Sequence, residues 1–266
     1  MRRKLISFAM IATMVLTVFA PMPALAKSKT KDPALVKKVT EKAWNSNRKK
    51  WYTYSVKTYT YNKRGYPSKI KIIDRDPDQP GSYVVKMKYK FNGNKPKSMK
   101  DTSGNTYEYN KNGLPSKKSM IEGDYKEIVT YKYKKNIMKQ SIRWVYQKDE
   151  EGKWERDTDV KKCRIKQRRG LPVEIRTGSM IEKFDSKGLL IKRKGGGAID
   201  NTKETIKYRI KKGRVVSMTT TTQNAEGVWK YKYTFTYTKK KISKKRYVRM
   251  INSFAASGWG SEWFWY

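Results

Sequence analysis

The chain has 266 residues, with 63 lysines and arginines against 23 aspartates and glutamates, and therefore a formal net charge of +40. It contains no histidine and one cysteine, Cys163. These counts exclude a Ser-His-Asp or Cys-His nucleophile, a zinc site built from Cys and His, and an internal disulfide.

The composition favours a folded protein with a thin core rich in tyrosine. Hydrophobic residues make up 37% of the chain and charged residues 32%, a combination that alone is typical of disorder. Aromatic residues make up 13%, including 19 tyrosines, and disordered chains are poor in them. Cys163 is interpreted as a small buried side chain, with an exposed thiol or an intermolecular disulfide as the alternatives.

Residues 1–26 are predicted to be a secretory signal peptide. Three basic residues at positions 2–4 precede an apolar run over 5–20, and small residues follow at Ala24 and Ala26, as signal peptidase requires. An uncleaved membrane anchor is the alternative, but the apolar run is short for a membrane span. Removal of residues 1–26 takes three charges from +40 and leaves +37 on the mature chain.

Residues 27–50 are predicted to hold an N-terminal helix and a linker. Asp32 and Pro33 are a typical helix start, an N-cap carboxylate followed by proline in the first turn. The apolar residues that recur at helical spacing are Leu35, Val36, Val39, Ala43 and Trp44. The helix is expected over about 33–47, where it would cover one end of a sheet.

A β-hairpin repeat domain is predicted over residues 51–255. Aromatic and polar residues alternate there with a period of two, for example over residues 106–109 and 230–237. Such alternation is typical of a strand with one buried face. Polar turns with glycine follow several Tyr-x-Tyr segments, and glycine accepts the positive φ angle that such turns require.

These repeats predict an all-β fold. One hairpin is unstable in water, so neighbouring hairpins must lie side by side to bury a continuous face. The turn glycines at positions 65, 113, 170, 188 and 213 are spaced for two strands per unit. The expected architecture is an antiparallel meander of hairpin repeats, twisted or rolled into an open barrel, with the one N-terminal helix.

The segment Asp101-Thr-Ser-Gly-Asn-Thr-Tyr-Glu-Tyr-Asn-Lys-Asn-Gly-Leu-Pro-Ser116 resembles the YD-type repeat of bacterial RHS and related secreted proteins. Those repeats run Gly-Asn, Tyr-x-Tyr-Asp and Gly-Arg-Leu, whereas here Asn110 stands where aspartate is usual and Leu114 follows Gly113 directly. The resemblance extends in degenerate form over residues 51–250 and implies a long antiparallel meander. In the large members the sheet forms a shell around a toxin, for which this chain is too short.

The C-terminal tail, residues 256–266, is the first candidate binding segment. Aromatic rings at a chain end can stack on sugars, lie at a membrane interface or contact a partner. The candidate residues are Trp259, Trp263, Trp265 and Tyr266. The alternative is a final strand that closes the core.

Lys192, Arg193 and Lys194 are the second candidate binding segment. They precede three glycines at 195–197, and a basic segment beside a glycine-rich loop can hold a phosphate. The alternative is a flexible loop without a ligand.

The alternative function is that of an enzyme that acts on cell-wall or glycan polymers through catalytic carboxylates. The largest acidic cluster spans residues 149–159 and includes Asp157 and Asp159. The cluster flanks a predicted hairpin tip, so pairing with nearby lysines is the favoured interpretation. No catalytic residue, metal ligand or small-molecule cofactor is predicted.

The sequence predicts a non-enzymatic protein, secreted or at the cell envelope, whose cationic surface binds an anionic cell-wall polymer, a glycan or a membrane surface. Lysines that only solubilise the outer face are the alternative to such binding. A secreted toxin or immunity protein is a further alternative that the YD-type resemblance implies. A transmembrane barrel is disfavoured, because lysines alternating with tyrosines leave no apolar band for lipid. The oligomeric state is left open.

Overall fold

The computed structural model describes residues 33–46, 48–76, 80–134, 137–168, 171–185, 189–195, 202–211, 214–225, 227–243, 246–247 and 250. Over these residues sixteen strands form one closed antiparallel barrel, in which each strand pairs with its sequence neighbours and the first pairs with the last. The strands are β1 (Ala34–Asn45), β2 (Lys50–Tyr61), β3 (Pro67–Asp74), β4 (Gly81–Asn92), β5 (Lys95–Asp101), β6 (Thr106–Tyr109), β7 (Pro115–Glu122), β8 (Tyr125–Lys134), β9 (Ile137–Lys148), β10 (Trp154–Arg168), β11 (Leu171–Thr177), β12 (Met180–Phe184), β13 (Leu190–Lys194), β14 (Lys203–Lys211), β15 (Arg214–Asn224) and β16 (Gly227–Lys241).

The barrel interior is the buried face that the alternating pattern predicts. On β6, Tyr107 and Tyr109 are buried while Glu108 between them is exposed. The same alternation on neighbouring strands builds one continuous core, because successive side chains of a strand point to opposite faces. The buried tyrosines of this core are Tyr59, Tyr66, Tyr107, Tyr109, Tyr131, Tyr233 and Tyr247. The prediction of an all-β meander with a tyrosine-rich core is therefore confirmed.

A recurring side-chain turn explains why Asn or Asp precedes the repeat glycine. Asn110 Oδ1 accepts hydrogen bonds from the backbone N–H groups of Asn112 at 2.9 Å and Leu114 at 3.2 Å. Gly113 has a φ of 77° and donates its N–H to the carbonyl of Asn110 at 2.8 Å. Side chains that accept backbone N–H groups in the same way are Asn62, Asp101, Asp149 and Asp185.

The predicted N-terminal helix is wrong, because residues 34–45 form β1. This strand pairs with β2 on one side and with β16 on the other. Between Val36 and Lys38 the register against β16 shifts by one residue of β1, so Val36 and Val39, three residues apart, are both buried. Ala43 follows Val39 by two regular strand steps, a spacing of four that a helix shares. A β-bulge adds one residue to a strand, so apolar residues on one face become spaced by three instead of two, as in a helix.

The same strand makes the barrel closed rather than open. Val39 of β1 is opposite Phe235 of β16 and Lys57 of β2, and its side chain is only 2% exposed. With β1 as a helix, β2 and β16 would each keep an unpaired edge, which is the open barrel that the sequence predicts. The barrel therefore begins at residue 34 rather than at 51.

Candidate functional site

The antiparallel order divides the turns between the two ends of the barrel. Successive turns of a meander alternate between ends, since each strand reverses the direction of the one before it. We call one end the basic end; it holds the β2–β3, β4–β5, β6–β7, β8–β9, β10–β11, β12–β13 and β14–β15 turns and the segment after β16. The opposite end, which holds the remaining turns, is called the mixed end.

The basic end carries positive charge almost exclusively. Its described basic residues, in the turns and at the flanking strand ends, are Lys63, Arg64, Lys95, Lys111, Lys134, Arg168, Lys211, Arg214, Lys239, Lys241 and Arg246. Among the described residues of these turns the one carboxylate is Asp185, and its Oδ1 accepts the backbone N–H of Leu189 at 2.9 Å. Ile242, Tyr247 and Met250 are buried beneath this end, as part of the core.

The mixed end carries both signs of charge. Its described carboxylates are Asp74, Asp76, Asp101, Glu122, Asp124, Asp149, Glu150 and Glu151. Its described basic residues are Arg48, Lys49, Lys50, Arg75, Lys148, Lys153, Lys194 and Lys203. The two sets are equal in number, so the described residues of the mixed end carry no net charge. The described residues of the basic end, in contrast, carry a net positive charge.

Glu127 shows how the inner wall retains carboxylates. Its Oε1 lies 3.2 Å from Lys118 Nζ, and its Oε2 lies 2.7 Å from Arg143 Nε. Burial opposes the ionisation of Glu127, but the charge of Lys118 and the hydrogen bond from Arg143 outweigh it and hold the pKa of this carboxyl below its ordinary value of 4.5.

A second ion-pair cluster crosses three strands. Glu182 on β12, Arg193 on β13 and Glu204 on β14 are directly opposite one another. Arg193 donates to Glu182 from Nε at 3.1 Å and Nη2 at 3.0 Å, and from Nη1 to Glu204 at 2.8 Å. Glu182 is only 2% exposed, and this burial raises the pKa of its carboxyl in spite of Arg193.

Two further carboxylates on the inner face have local donors. Glu41 accepts hydrogen bonds from Ser55 Oγ at 2.8 Å and from Tyr233 Oη at 3.2 Å. Asp101 is buried and accepts the side-chain amide of Asn105. Carboxylates held inside in this way do not offset the lysines on the outside.

The outer wall is the cationic counterpart of this inner face. Exposed basic residues on outward strand positions include Lys69, Lys71, Lys86, Lys88, Lys90, Lys100, Lys132, Lys162, Arg164, Lys183, Lys192, Lys207, Lys230 and Lys232. Two carboxylates on this wall, Glu108 and Glu174, are themselves within 3.7 Å of a lysine or arginine nitrogen. The wall therefore presents a nearly uncompensated positive surface.

A groove of about 780 Å³ opens at the basic end between the β4–β5 and β6–β7 turns. Its walls are Phe91, Asn92, Gly93, Asn94, Lys95, Pro96, Lys97, Tyr109, Asn110 and Lys111. Lys95 Nζ donates to the carbonyl of Lys111 at 2.8 Å and so joins the two turns. No carboxylate lines the groove, and Lys97 and Lys111 are exposed.

The ring of Phe91, one of the residues that line this groove, is covered by neighbouring side chains. The guanidinium carbon of Arg64 lies 4.3 Å from its centroid, in cation–π geometry. The rings of Tyr89 and Tyr66 pack on it with centroid distances of 5.7 and 5.2 Å. Phe91 therefore supports the groove but offers no free face for stacking.

The structure separates the three residues of the basic segment at 192–194. Lys192 and Lys194 are exposed, whereas Arg193 points into the barrel and is held by Glu182 and Glu204. Gly195 N–H donates to the carbonyl of Thr202 at 3.0 Å, and a Cβ on Gly195 would lie 2.4 Å from the Ser179 carbonyl oxygen. Arg193 thus forms part of the inner ion-pair cluster, and Gly195 forms a tightly packed turn.

The other predicted binding residues, Trp259, Trp263, Trp265 and Tyr266, lie outside the described residues. The predicted signal peptide at 1–26 lies outside them as well. In the part of the chain that the structure describes, no long apolar helix of membrane-spanning type is present.

The carboxylates of the acidic cluster at 149–159 make local contacts. Asp149 accepts the backbone N–H groups of Glu151 and Lys153 in the turn, and Asp159 lies 3.0 Å from Lys161 Nζ. Asp157 accepts the neighbouring backbone N–H of Thr158 at 2.7 Å. Among the described residues no group of three potential metal ligands occurs.

The fold and its charges define this chain as a closed sixteen-stranded antiparallel barrel with a cationic outer wall. No protein-family model matches it, and no curated protein matches it. Among solved structures it is similar to a porin-like protein from Bacteroides uniformis, with 12% sequence identity and a TM-score of 0.46 over 77% of this chain and 99% of that one. A likeness at this level carries no function to this chain.

Neither the basic end nor the inner ion pairs were found from the sequence. A signal for the basic end is present, because Asn-Lys and Lys-Lys turns alternate along the chain with Asp- and Glu-containing turns. Assigning every second turn to the same end would have shown the asymmetry. The inner pairs have no such signal, since a glutamate on the inner side of a strand resembles any other glutamate in a charged chain.

Proposed function

We propose that this protein is a non-enzymatic, cationic barrel, secreted or held at the cell envelope, that binds anionic polymers or surfaces there. The observation that carries the proposal is the distribution of charge. Carboxylates are retained on the inner wall and at the mixed end, so the basic end and the outer wall face solvent with lysine and arginine.

The physical basis of the binding is counterion release. A polymer with closely spaced negative charges carries condensed cations, and lysines that replace them return those cations to solution. The net charge of +37 on the predicted mature chain draws such a polymer toward the protein from a distance. The basic end, where the described turns hold a single carboxylate, is the part of the barrel at which the attraction is strongest.

The test compares charge reversal at the two ends. The full chain is applied to an immobilised polyanion at about 50 mM and about 200 mM salt, and binding is expected to weaken by at least about tenfold. A variant with Lys63→Glu and Lys211→Glu at the basic end should bind more weakly than one with Lys49→Glu and Lys153→Glu at the mixed end. Binding that is insensitive to salt, or that needs the mixed end instead, contradicts the proposal.

A further inference from the structure

We propose that the groove between the β4–β5 and β6–β7 turns is a binding site for a phosphodiester-linked polyol chain, that is, a polymer of small sugar alcohols joined by phosphates. This inference rests on the proposed function and names the substrate class and the place of recognition. The groove has a volume of about 780 Å³, within the range of ligand sites in proteins.

The charge of the groove selects an anion. Lys95, Lys97 and Lys111 line it, and no carboxylate does. Lys95 has one ammonium proton donated to the Lys111 carbonyl, so it is held in place with two protons left for a ligand. An ammonium group fixed at the junction of the two turns is already positioned before the ligand arrives, which lowers the entropy cost of binding.

The neutral residues of the groove favour a chain that carries hydroxyl groups. Asn92, the last residue of β4, and Asn94, in the β4–β5 turn, are exposed, and each amide offers both a donor and an acceptor. Such groups match the alternating hydroxyl oxygens and hydrogens of a polyol. A ligand with phosphates but no hydroxyls would use the lysines and leave the amides to water.

The aromatic residues of the groove disfavour nucleic acid. Proteins that bind single strands without sequence preference stack bases on free aromatic faces. Here the Phe91 ring is covered by Arg64 and packed by Tyr66 and Tyr89, and Tyr109 is buried in the core. The groove therefore offers phosphate contacts without a stacking platform.

The experiment uses the full chain, its binding to a poly(glycerol phosphate) oligomer, and two charge-matched double variants. Lys97→Glu with Lys111→Glu alters the groove, and Lys207→Glu with Lys232→Glu alters exposed outer-wall positions on β14 and β16. Both variants change the net charge equally. The groove variant is expected to lose affinity by about tenfold or more, and the wall variant by less than about threefold.

Asn92→Ala with Asn94→Ala changes no charge and tests the polyol. This variant is expected to lose the preference for poly(glycerol phosphate) over inorganic polyphosphate and to leave polyphosphate binding unchanged. Thermal unfolding of each variant verifies that the barrel remains folded. Equal losses in the two lysine variants, or tighter binding of single-stranded DNA than of poly(glycerol phosphate), overturn the groove proposal while leaving the proposed function in place. Absence of binding to every polyanion at low salt overturns both.

Discussion

The hydroxyl of Tyr133, on β8, donates to the backbone carbonyl of Pro115, on β7, at 2.7 Å. In the β7–β8 hairpin, the pair of opposite residues farthest from the turn is Lys117 and Thr130. Tyr133 lies beyond this pair, at the end of the hairpin opposite to its turn. The same contact recurs in three other hairpins whose turns lie at the mixed end. The pairs are Tyr61 with Val36, Tyr208 with Leu190, and Tyr237 with Val215. Each of these tyrosine hydroxyls therefore forms a hydrogen bond between the two strands of its hairpin near the basic end.

Replacement of Tyr133 by phenylalanine should lower the free energy of unfolding by about 1 kcal/mol, because a buried carbonyl loses its donor. Tyr109→Phe is the matched control. The Tyr109 hydroxyl is buried and has no hydrogen-bond partner among the described residues, so its removal should be neutral or stabilising. Urea unfolding of the two variants measures the difference. Equal destabilisation of both would show that the Tyr133 hydrogen bond contributes nothing specific.

The two inner ion-pair clusters should respond in opposite directions to pH. The pKa of Glu127 is lowered in the folded barrel, so its ionised form contributes stability above the ordinary value of 4.5, and this stability is lost as the pH falls through the folded value. The pKa of Glu182 is raised, so the folded state binds that proton more tightly and protonation on acidification favours folding.

Glu127→Gln is therefore expected to cost about 3 kcal/mol at neutral pH, because Lys118 and Arg143 lose their buried counter-charge. Glu182→Gln should cost clearly less, since Arg193 keeps Glu204. Denaturant titrations at pH 7 and near pH 4 measure both. The difference between wild type and Glu127→Gln should shrink at the lower pH; a difference that is unchanged would mean that Glu127 does not act through its charge.

Cys163 should be almost unreactive in the native protein. Its side chain is 4% exposed, and burial raises the pKa of the thiol to about 11. Thiol reagents attack the thiolate, which is scarce at pH 8 for such a group. Labelling at pH 8 is expected to be slow when the protein is folded and complete in denaturant. Rapid native labelling would place the thiol at the surface.

Val39→Asp should unfold the barrel or cost more than about 3 kcal/mol, since it buries an unpaired charge in the strand that closes the ring. Lys38→Asp at the adjacent, exposed position is the control and should have little effect. Both substitutions introduce the same side chain one residue apart, so the contrast reports the inward orientation of position 39. Similar unfolding free energies for the two variants would contradict the placement of β1.

Gly113→Ala should cost about 1 kcal/mol, because its φ of 77° is strained for a residue with a Cβ. That Cβ would also lie 3.5 Å from Pro96 Cδ, at the junction of the two turns beside the groove. Gly81→Ala is the comparison, since a Cβ there meets nothing within 4 Å and its φ is not positive. The unfolding free energies of the two variants provide the check.

Much of the fold followed from local patterns. Alternation of tyrosine with polar residues, as in Tyr107 and Tyr109 around Glu108, defines which face of a strand is buried regardless of what the strand pairs with. The Asn110–Gly113 turn is equally local, because its hydrogen bonds join residues at most four apart. The helix predicted over 33–47 is wrong for two reasons: the register shift against β16 places Val36 and Val39 on one face, and Val39 and Ala43 are four residues apart even in a regular strand.

By itself, the sequence determined the hairpin strands that follow residue 51, their polar turns and the aromatic interior, since each depends on neighbours within a few residues. Its composition determined the large positive charge. Only the tertiary structure decided that the meander closes on itself, because β1 and β16 meet across some 200 residues of chain. It also decided where the charge lies. A carboxylate is inside or outside according to the strand opposite it, so the pairing of Glu127 with Lys118 and Arg143 and of Glu182 with Arg193 exists only once the register is set.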